Sequence, residues 1–530
     1  MTPERLAPDA GGLARAAELL RGGQVVAFPT DTVYGLAALW RDEHARARIY
    51  EIKRRPHALP LIPMVAEPDR LAPLVHVDGR ARSFMDRWWP GPLTLVLPAA
   101  SAEPRTLGVR IPDHPVALAL LREVGEAVAT TSANLSGARD AMTADEAAQL
   151  DGVAAVLDGG RAPGGQPSTV LSLAAPDAEV LREGPVPARD LLLHELSGKF
   201  RRFADLEARP TSALYAAICA GLAERPDVLS LLLDARPGQR RPNLLLGAVH
   251  DLLLGGARDP LAEYYPSVGG VREVDGEVAD RFSRFALLRS DEVRAIIRTR
   301  RTQTNEVARC GPLVLGLSRL PGPLALIDVG ASAGLNLQLD RYAYRFGEAP
   351  RIGPPDTPLT LRCVFEGAQP PPERLPEIVW RRGIDLDPRD PRDPATVRWL
   401  EALVWPEHAE RRERLRAALE VASAQPFEVR QGDALRLLPQ VAQDAPPGAT
   451  LVVTHCMTLT YFSEEDRARV TRLCRSLGAH ELSLEPGQDR HARWVPLTLD
   501  GAQLARVDPH SGAITSSGEE IACSPAASSL

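Results

Sequence analysis

The feature that most constrains the fold is one pattern that occurs twice. Over residues 1–190, apolar runs of strand length ("QVVAF", "LTLVLPA", "AAVLDGG", "STVLSL") alternate with helix-patterned stretches ("GLARAAELLRGG", "DEHARARIYEIKRR", "PVALALLREVG"). From "GPLALIDVGASAG" onward the alternation returns, through "GATLVVTHC" and "HELSLEP". Short apolar runs bounded by Gly and Pro, interleaved with amphipathic stretches, specify α/β layers. Between the two blocks the pattern is helical, as in "SALYAAICAGLAERPDVLSLLLDA". "GPVPARDLL", with two prolines, reads as a linker leaving the first block. A chain of 530 residues is too long for one ordinary core. The expected organisation is an α/β domain over 1–190, a mainly helical segment over 197–322, and a Rossmann-like α/β domain over 323–530. The tail "SSGEEIACSPAASSL" is small and polar and is expected to fray.

Charge and cysteine usage narrow the function classes. The net charge is −7. Residues 1–196 hold 20 Lys+Arg against 25 Asp+Glu, a net of −5, which leaves −2 for the rest. Neither part has the basic excess of an autonomous nucleic-acid binder. The six cysteines are scattered with no CxxC pair, which points to a reducing compartment rather than a disulfide framework or zinc ribbon. "MTPERLAPDAGG" is no signal peptide, and no apolar run is long enough to span a bilayer. A cytoplasmic protein is expected. Only two basic residues are lysines, Lys53 and Lys199, so each lysine stands out against an arginine background.

Six polar stretches in the first block carry candidate chemistry. In "FPTDTVYGL", Pro29 ends strand pairing and Thr30, Asp31 and Thr32 follow directly. They read either as a strand-to-helix cap or as a ligand-facing cluster. In "IKRRP", Lys53 and Arg55 form a cationic pair if the segment is extended, since residues two apart then share a side; the other reading is a solvated helix end. "WWPGPLTLVL" is a further polar-edged strand. In "GVRIP", Arg110 stands alone among apolar neighbours and must find an anion. "TTSANLSG" and "GGRAPGGQPSTV" supply small hydroxyl and amide side chains and glycine-rich backbone able to present N–H groups to phosphate. No GxxxxGK[ST] occurs, so a nucleotide would be bound without a P-loop.

The motifs "FPTDTVYGL", "KRRP", "WPGPLTLVL", "VRIP", "TSANLSG", "STV" and "LREG", in this order and spacing, resemble the YrdC-like threonylcarbamoyl-AMP synthases over about residues 10–190. The resemblance implies a twisted α/β sheet around a positively charged cavity. The implied reaction joins L-threonine, bicarbonate and ATP (with Mg²⁺) into threonylcarbamoyl-AMP and pyrophosphate. The product would pass to a separate transferase that modifies tRNA to threonylcarbamoyladenosine. By the same resemblance Lys53 and Arg55 hold phosphates and offset transition-state charge. Thr32 lines the threonine pocket, and Arg110 pairs with the amino acid's carboxylate or the carbamate. Ser132, Asn134, Ser168 and Arg182 contact nucleotide or threonine. One departure is Leu59, where the family often has Lys or Asn. A non-catalytic module binding nucleotide or RNA is the rival reading, and the acidic charge of the block opposes RNA.

In the later block, "PLALIDVGASAGLNL" is strand, glycine turn and helix. Asp328, Gly330 and Gly334 fit an S-adenosylmethionine loop, with Asp385 of "RRGIDLDP" toward a ribose and Asp433 of "VRQGDALRLLP" toward adenine. The same turn also fits a hydrolase elbow with Ser332 as nucleophile and His455 or His491 as base. The acid two residues before the first glycine favours the cofactor loop. "KFRRFA", "DVGASAGLNL", "WRRGIDLDP" and "WPEHAERRERLRAAL" resemble an uncharacterised bacterial family with a methyltransferase-like core.

Overall fold

The computed structural model describes residues 2–366, 370–487 and 493–515. His491, Cys523 and the polar tail lie outside the described residues. The chain divides into two compact units. The first comprises residues 1–242 and 286–298, the second residues 243–285 and 299–530. The helical stretch 197–322 is therefore shared between them rather than forming a body of its own.

The first unit contains two sheets. Strands β1 (Glu4–Leu6), β2 (Val26–Phe28), β3 (Gly35–Leu39), β4 (Ile62–Met64), β7 (Val128–Ser132) and β8 (Ala155–Leu157) form one, in the order β1-β8-β2-β3-β7-β4. Strands β5 (Leu93–Pro98), β6 (Thr106–Val109), β9 (Thr169–Ser172) and β10 (Glu179–Arg182) form the other, in the order β10-β9-β5-β6. Every residue of β2 is buried, because the strand is central and apolar cores pack on both faces of its sheet. β2 and β3 are antiparallel, with Phe28 opposite Gly35. The "PTDTVY" stretch is thus the loop of a strand pair, not the strand-to-helix cap that was one expectation. Ser132 also pairs with Gly35, which brings the end of β7 to the same edge as that loop.

The helix Glu43–Lys53 starts on Asp42, whose carboxylate accepts from the Ala45 N–H at 3.0 Å. It stops at Arg54, which takes a left-handed conformation (φ 49°, ψ 44°). A non-glycine residue in that region is strained and marks a functional segment. The stop sets Lys53 on the last helical turn and reverses the chain at Arg55. Of the two readings of "IKRRP", the helix end is the one present, and the turn rather than an extended segment brings the two cations close.

The second unit is built on a nine-stranded sheet. Its parallel part is β16 (Val429–Gln431), β15 (Ile378–Asp385), β11 (Leu324–Val329), β17 (Thr450–Cys456) and β18 (His480–Leu484), in that spatial order. An antiparallel meander, β19 (Val495–Leu499), β20 (Ala502–Val507) and β21 (Ile514–Thr515), continues it, and β14 (Phe365–Glu366) closes the edge. A separate parallel pair joins β12 (Ala343–Phe346) and β13 (Thr360–Cys363). From β11 the chain first builds outward to β15 and β16, then returns to the other side for β17 and β18. The carboxyl ends of β11 and β17 therefore flank a topological switch point, where open α/β sheets form crevices. Among the described residues no helix is long and apolar enough to cross a membrane.

The turn after β11 is held by packing. Gly330 has φ +81°, and a Cβ there would lie 2.1 Å from the Thr458 hydroxyl oxygen. A Cβ on Gly334 (φ +70°) would lie 2.2 Å from the Phe427 ring. We expect Gly330→Ala to destabilise the second unit by about 1–3 kcal/mol with no ligand present. Denaturant unfolding measures it. An unchanged midpoint would show that Thr458 yields freely.

Candidate active site

The loop between β2 and β3 divides its three polar residues by role. Thr30 performs the local capping: its hydroxyl donates to the Val33 carbonyl at 2.6 Å and accepts from the Thr32 and Val33 N–H groups. Thr32 is buried, with its hydroxyl 3.0 Å from that of Thr30. Asp31 turns inward to Arg110 at 2.6 Å. Arg110 is 3% exposed and also donates to Thr32 Oγ1 (3.1 Å) and to the Gly91 carbonyl (3.0 Å). The anion that this lone arginine required is an internal carboxylate, so Arg110 is not a free receptor for a substrate carboxylate in this state.

Glycines let the neighbouring loops close on this floor. A Cβ on Gly164 would lie 2.5 Å from the Asp31 carbonyl, and the Gly165 N–H donates to the Thr32 carbonyl at 3.0 Å. Gly184 packs in the same way on Ser168 and Thr169. Ser168 is buried, 2.8 Å from the Thr94 hydroxyl. Arg182 donates to the Ser168 carbonyl from Nε (3.0 Å) and Nη2 (2.8 Å).

Lys53 forms the second cluster. It is 1% exposed, and its ammonium donates to the carbonyls of Ser132 and Asn134 and to Asn134 Oδ1. The Ser132 hydroxyl donates to the same Oδ1 at 2.7 Å, and Asn134 Nδ2 donates to the Ala138 carbonyl. An ammonium has three protons, and here all three have protein acceptors. Lys53 therefore ties the helix end to the 132–134 loop and lends its charge from behind. It does not present a free N–H to a phosphate, contrary to the expectation. Arg55 donates to the Leu59 and Pro60 carbonyls, so the backbone of Leu59 serves the site although its side chain is exposed.

Electrostatics link the clusters. Burial, and then the charge of Arg55, push the Lys53 ammonium down to about 8. Burial also lowers Arg55, Arg110 and Arg182; Arg182 opposes Arg110, and Arg55 opposes Arg182. Neighbouring cations thus oppose Lys53, Arg110 and Arg182, and Asp31 and Asp140 are the acids that relieve them. Residue-type reasoning missed Asp31 as the partner of Arg110, and it missed Thr94, Gly91 and Asp140. The quoted "WWPGPLTLVL" stretch was the available signal for Gly91 and Thr94.

The second set of predicted residues is placed differently. Asp328, Asp385 and Asp433 stand at or just beyond the carboxyl ends of three neighbouring parallel strands. Asp385 accepts from the backbone N–H groups of Ser332 and Asp387, and Asp433 caps its own helix through the Leu435 N–H. Burial pushes the Asp328 carboxyl up to about 7. The Ser332 hydroxyl meets Gln303 at 3.3 Å. His455 lies between Glu481 and Glu485. Burial opposes its charge, yet those two hydrogen bonds hold the imidazolium up at about 9. Both ring nitrogens of His455 are bonded to carboxylates and Ser332 bonds Gln303, so this geometry gives no support to the His455 form of the hydrolase reading. The His491 form lies outside the described residues.

The telomere recombination family, Sua5_yciO_yrdC, matches residues 18–184. The family described as uncharacterized protein conserved in bacteria, DUF2332, matches residues 197–516. The threonylcarbamoyl-AMP synthase of Bacillus subtilis (strain 168) is 38% identical over 262 residues, covering 44% of this chain and 73% of that protein. The threonylcarbamoyl-AMP synthase of Pyrococcus abyssi (strain GE5 / Orsay) is 39% identical over 186 residues, covering 33% of this chain and 55% of that protein. The crystal structure of E. coli YciO is 29% identical, covers 36% of this chain and 98% of its own, and has a TM-score of 0.33. The chain belongs to the threonylcarbamoyl-AMP synthase family, which are nucleotidyltransferases, over its first part, and to the DUF2332 family over the larger remainder.

Removing Arg110 leaves Asp31 as a buried, uncompensated carboxylate. We expect Arg110→Ala to cost about 3–5 kcal/mol of first-unit stability, beyond any effect on threonine KM. Asp31→Asn in the same background should recover part of that loss in denaturant unfolding. Full stability of Arg110→Ala would rule out the pair as a structural tie.

Proposed function

We propose that residues 1–190 make threonylcarbamoyl-AMP from L-threonine, bicarbonate and ATP, releasing pyrophosphate, in the cytoplasm. The observation that carries this is the cluster of Lys53, Arg55 and Arg182 beside the Asp31-paired Arg110, against a floor of buried hydroxyls. The amine of threonine takes up bicarbonate carbon as a carbamate, with loss of water. A carbamate oxygen attacks the α-phosphorus of ATP, and the bond to the bridging oxygen of pyrophosphate breaks. Little covalent work falls to the protein, so positioning and charge neutralisation carry the rate. Arg55 and Arg182 face the phosphates. Lys53 supplies charge behind them and fixes Ser132 and Asn134. Thr32 and Ser168 line the amino-acid side, with Thr32 held in place by Arg110. Mg²⁺ in this reading arrives with ATP, and the phosphates are its ligands. The product serves tRNA threonylcarbamoyladenosine formation through a separate transferase, without stable nucleic-acid binding by this chain.

One observation favours a second reading for residues 323–530, S-adenosylmethionine binding: the three carboxylates at the ends of β11, β15 and β16. The residues do not fit an open cofactor site as they stand. Thr458 and Phe427 fill the space beside Gly330 and Gly334, and backbone N–H groups occupy Asp385.

Pyrophosphate release from ATP should require both threonine and bicarbonate. Groups that stabilise transition-state charge are worth about 10²–10³ in kcat, and Lys53→Ala should lose that much. Lys53→Arg should lose at least roughly tenfold, because a planar guanidinium cannot meet three converging acceptors. Release independent of threonine would defeat the synthase reading.

The Lys53 charge also sets a pH dependence. The protonated fraction falls as pH rises through about 8, so kcat/KM for ATP should fall there. The sign for stability is opposite. The unfolded lysine holds its proton to about 10.5, so burial of the charged form costs stability below about 8, and that cost lifts as pH rises between the two values. A kcat/KM profile flat up to the ordinary lysine range would show that the charge is not used. Calorimetry with S-adenosylmethionine on the full chain tests the second reading: heat that Asp385→Asn removes supports it, and no heat discards it.

A further inference from the structure

The second unit contains a cavity of about 500 Å³ that no role described so far uses. Its lining includes His455, Leu459, Arg467, Thr471, Glu481 and Glu485. Strands β17 and β18 carry His455 and Glu481, and Glu485 follows directly after β18. The helix Glu464–Ser476 carries Arg467 and Thr471, four residues apart and so on one face.

Most of the polar atoms here already have partners. His455 spans Glu481 (3.1 Å) and Glu485 (3.2 Å), and Thr471 donates to Glu481 at 3.0 Å. Glu485 Oε1 accepts in addition from the Thr458 and Leu459 N–H groups. Two features are left over. The Nε and Nη2 atoms of Arg467 are buried with no hydrogen-bond partner among the described residues. Glu485 Oε2 is buried and equally without a partner, on a side chain only 10% exposed.

The unpaired arginine edge is chemically specific. Elsewhere in this chain the Nε/Nη2 edge grips carboxylates in two-pronged pairs. Arg80 holds Glu195 at 2.9 and 2.8 Å, and Arg416 holds Glu401 at 2.8 and 2.6 Å. Leaving such an edge buried and empty is costly, and so is leaving a carboxylate oxygen without a donor. A molecule with a carboxylate and an ammonium group would satisfy both, and the cavity has the volume of a small-metabolite site.

We propose that this cavity binds a free α-amino acid or a close derivative, with its carboxylate on the Nε/Nη2 edge of Arg467 and its ammonium on Oε2 of Glu485. Leu459 and the aliphatic stem of Arg467 would face the ligand's side chain. The site is independent of the synthase reading, because every residue named lies in the second unit.

Saturation-transfer NMR on the full chain tests this, with the proteinogenic L-amino acids other than threonine as probes. For any amino acid that binds, the matching amine and the matching carboxylic acid are run beside it. We expect at least one amino acid to bind, with affinity lowered at least about tenfold in Arg467→Leu and neither truncated analogue binding as well. Arg467→Leu should keep or raise the melting temperature of the free protein, since it removes two buried donor atoms that have no partner among the described residues. A purely structural arginine would lower it. Absence of binding by every amino acid overturns the proposal, as does binding that Arg467→Leu leaves unchanged. Carboxylic acids binding as tightly as amino acids would overturn the assignment to an amino acid.

Discussion

The candidate active site depends on one buried ion pair. Arg110 and Asp31 meet at 2.6 Å with almost no exposure to solvent, and the arginine's remaining donors reach Thr32 and the Gly91 carbonyl. Each partner alone would be too costly to bury. Together they fix three separate stretches: the loop between β2 and β3, the "WWPGP" turn, and the segment leaving β6. Gly164 and Gly165 then close the glycine-rich loop onto the same backbone. Thr32 is immobile because the pair beneath it is immobile. The polar floor of the site is thus a consequence of one charge needing another, and its geometry is set before any substrate arrives.

A site preorganised in this way must also carry unrelieved charge. Burial and neighbouring cations depress Lys53, Arg110 and Arg182, and the carboxylates of Asp31 and Asp140 stand against them. The left-handed Arg54 places two of the four cations at one helix end and is itself a strained position. Repulsion and backbone strain both weaken the free state. In the synthase reading a bound polyphosphate would offset the repulsion, so the charge that costs stability favours the nucleotide. Fold and function are in tension here, and the apolar cores on both faces of the six-stranded sheet make that tension tolerable.

Much of this was legible from residue types alone. The strand runs, the lone Arg110 and the isolated Lys53 were all visible, because burial of a charge and a break in composition are sequence-level facts. Partner identity was not visible. Asp31 was read with Thr30 and Thr32 as one cluster, yet the strand pairing of Phe28 with Gly35 turns these three side chains to different tasks. Lys53 and Arg55 read equally as neighbours on an extended segment or as a helix end, and it is the helix stop that joins them. In the second unit the glycines of "DVGASAG" were expected to make room for a cofactor, and Thr458 and Phe427 take that room. Both come from stretches more than 90 residues further along the chain, beyond the reach of any local pattern. Sequence spacing reports which groups are constrained, but it does not report what constrains them.

The two lysines show how far a compositional oddity can be explained physically. In a chain that uses arginine for nearly every positive charge, lysine remains at 53 and 199. Lys53 meets three oxygens, the carbonyls of Ser132 and Asn134 and the Asn134 side chain. Lys199 also meets three: carboxylate oxygens of Asp177 and Glu195 and the Arg240 carbonyl. Neither set belongs to a single planar acceptor group. A guanidinium is a flat fork that satisfies one carboxylate well, as Arg80 does with Glu195, but it cannot direct three donors from one point. An ammonium can, because its protons are tetrahedral and rotate together. Arginine is adequate wherever a charge faces one carboxylate or solvent, and it replaces lysine there freely. Arg110 reaches three acceptors too, but spread along the edges of its planar fork, whereas the acceptors of Lys53 and Lys199 converge on a single nitrogen, which suits an ammonium.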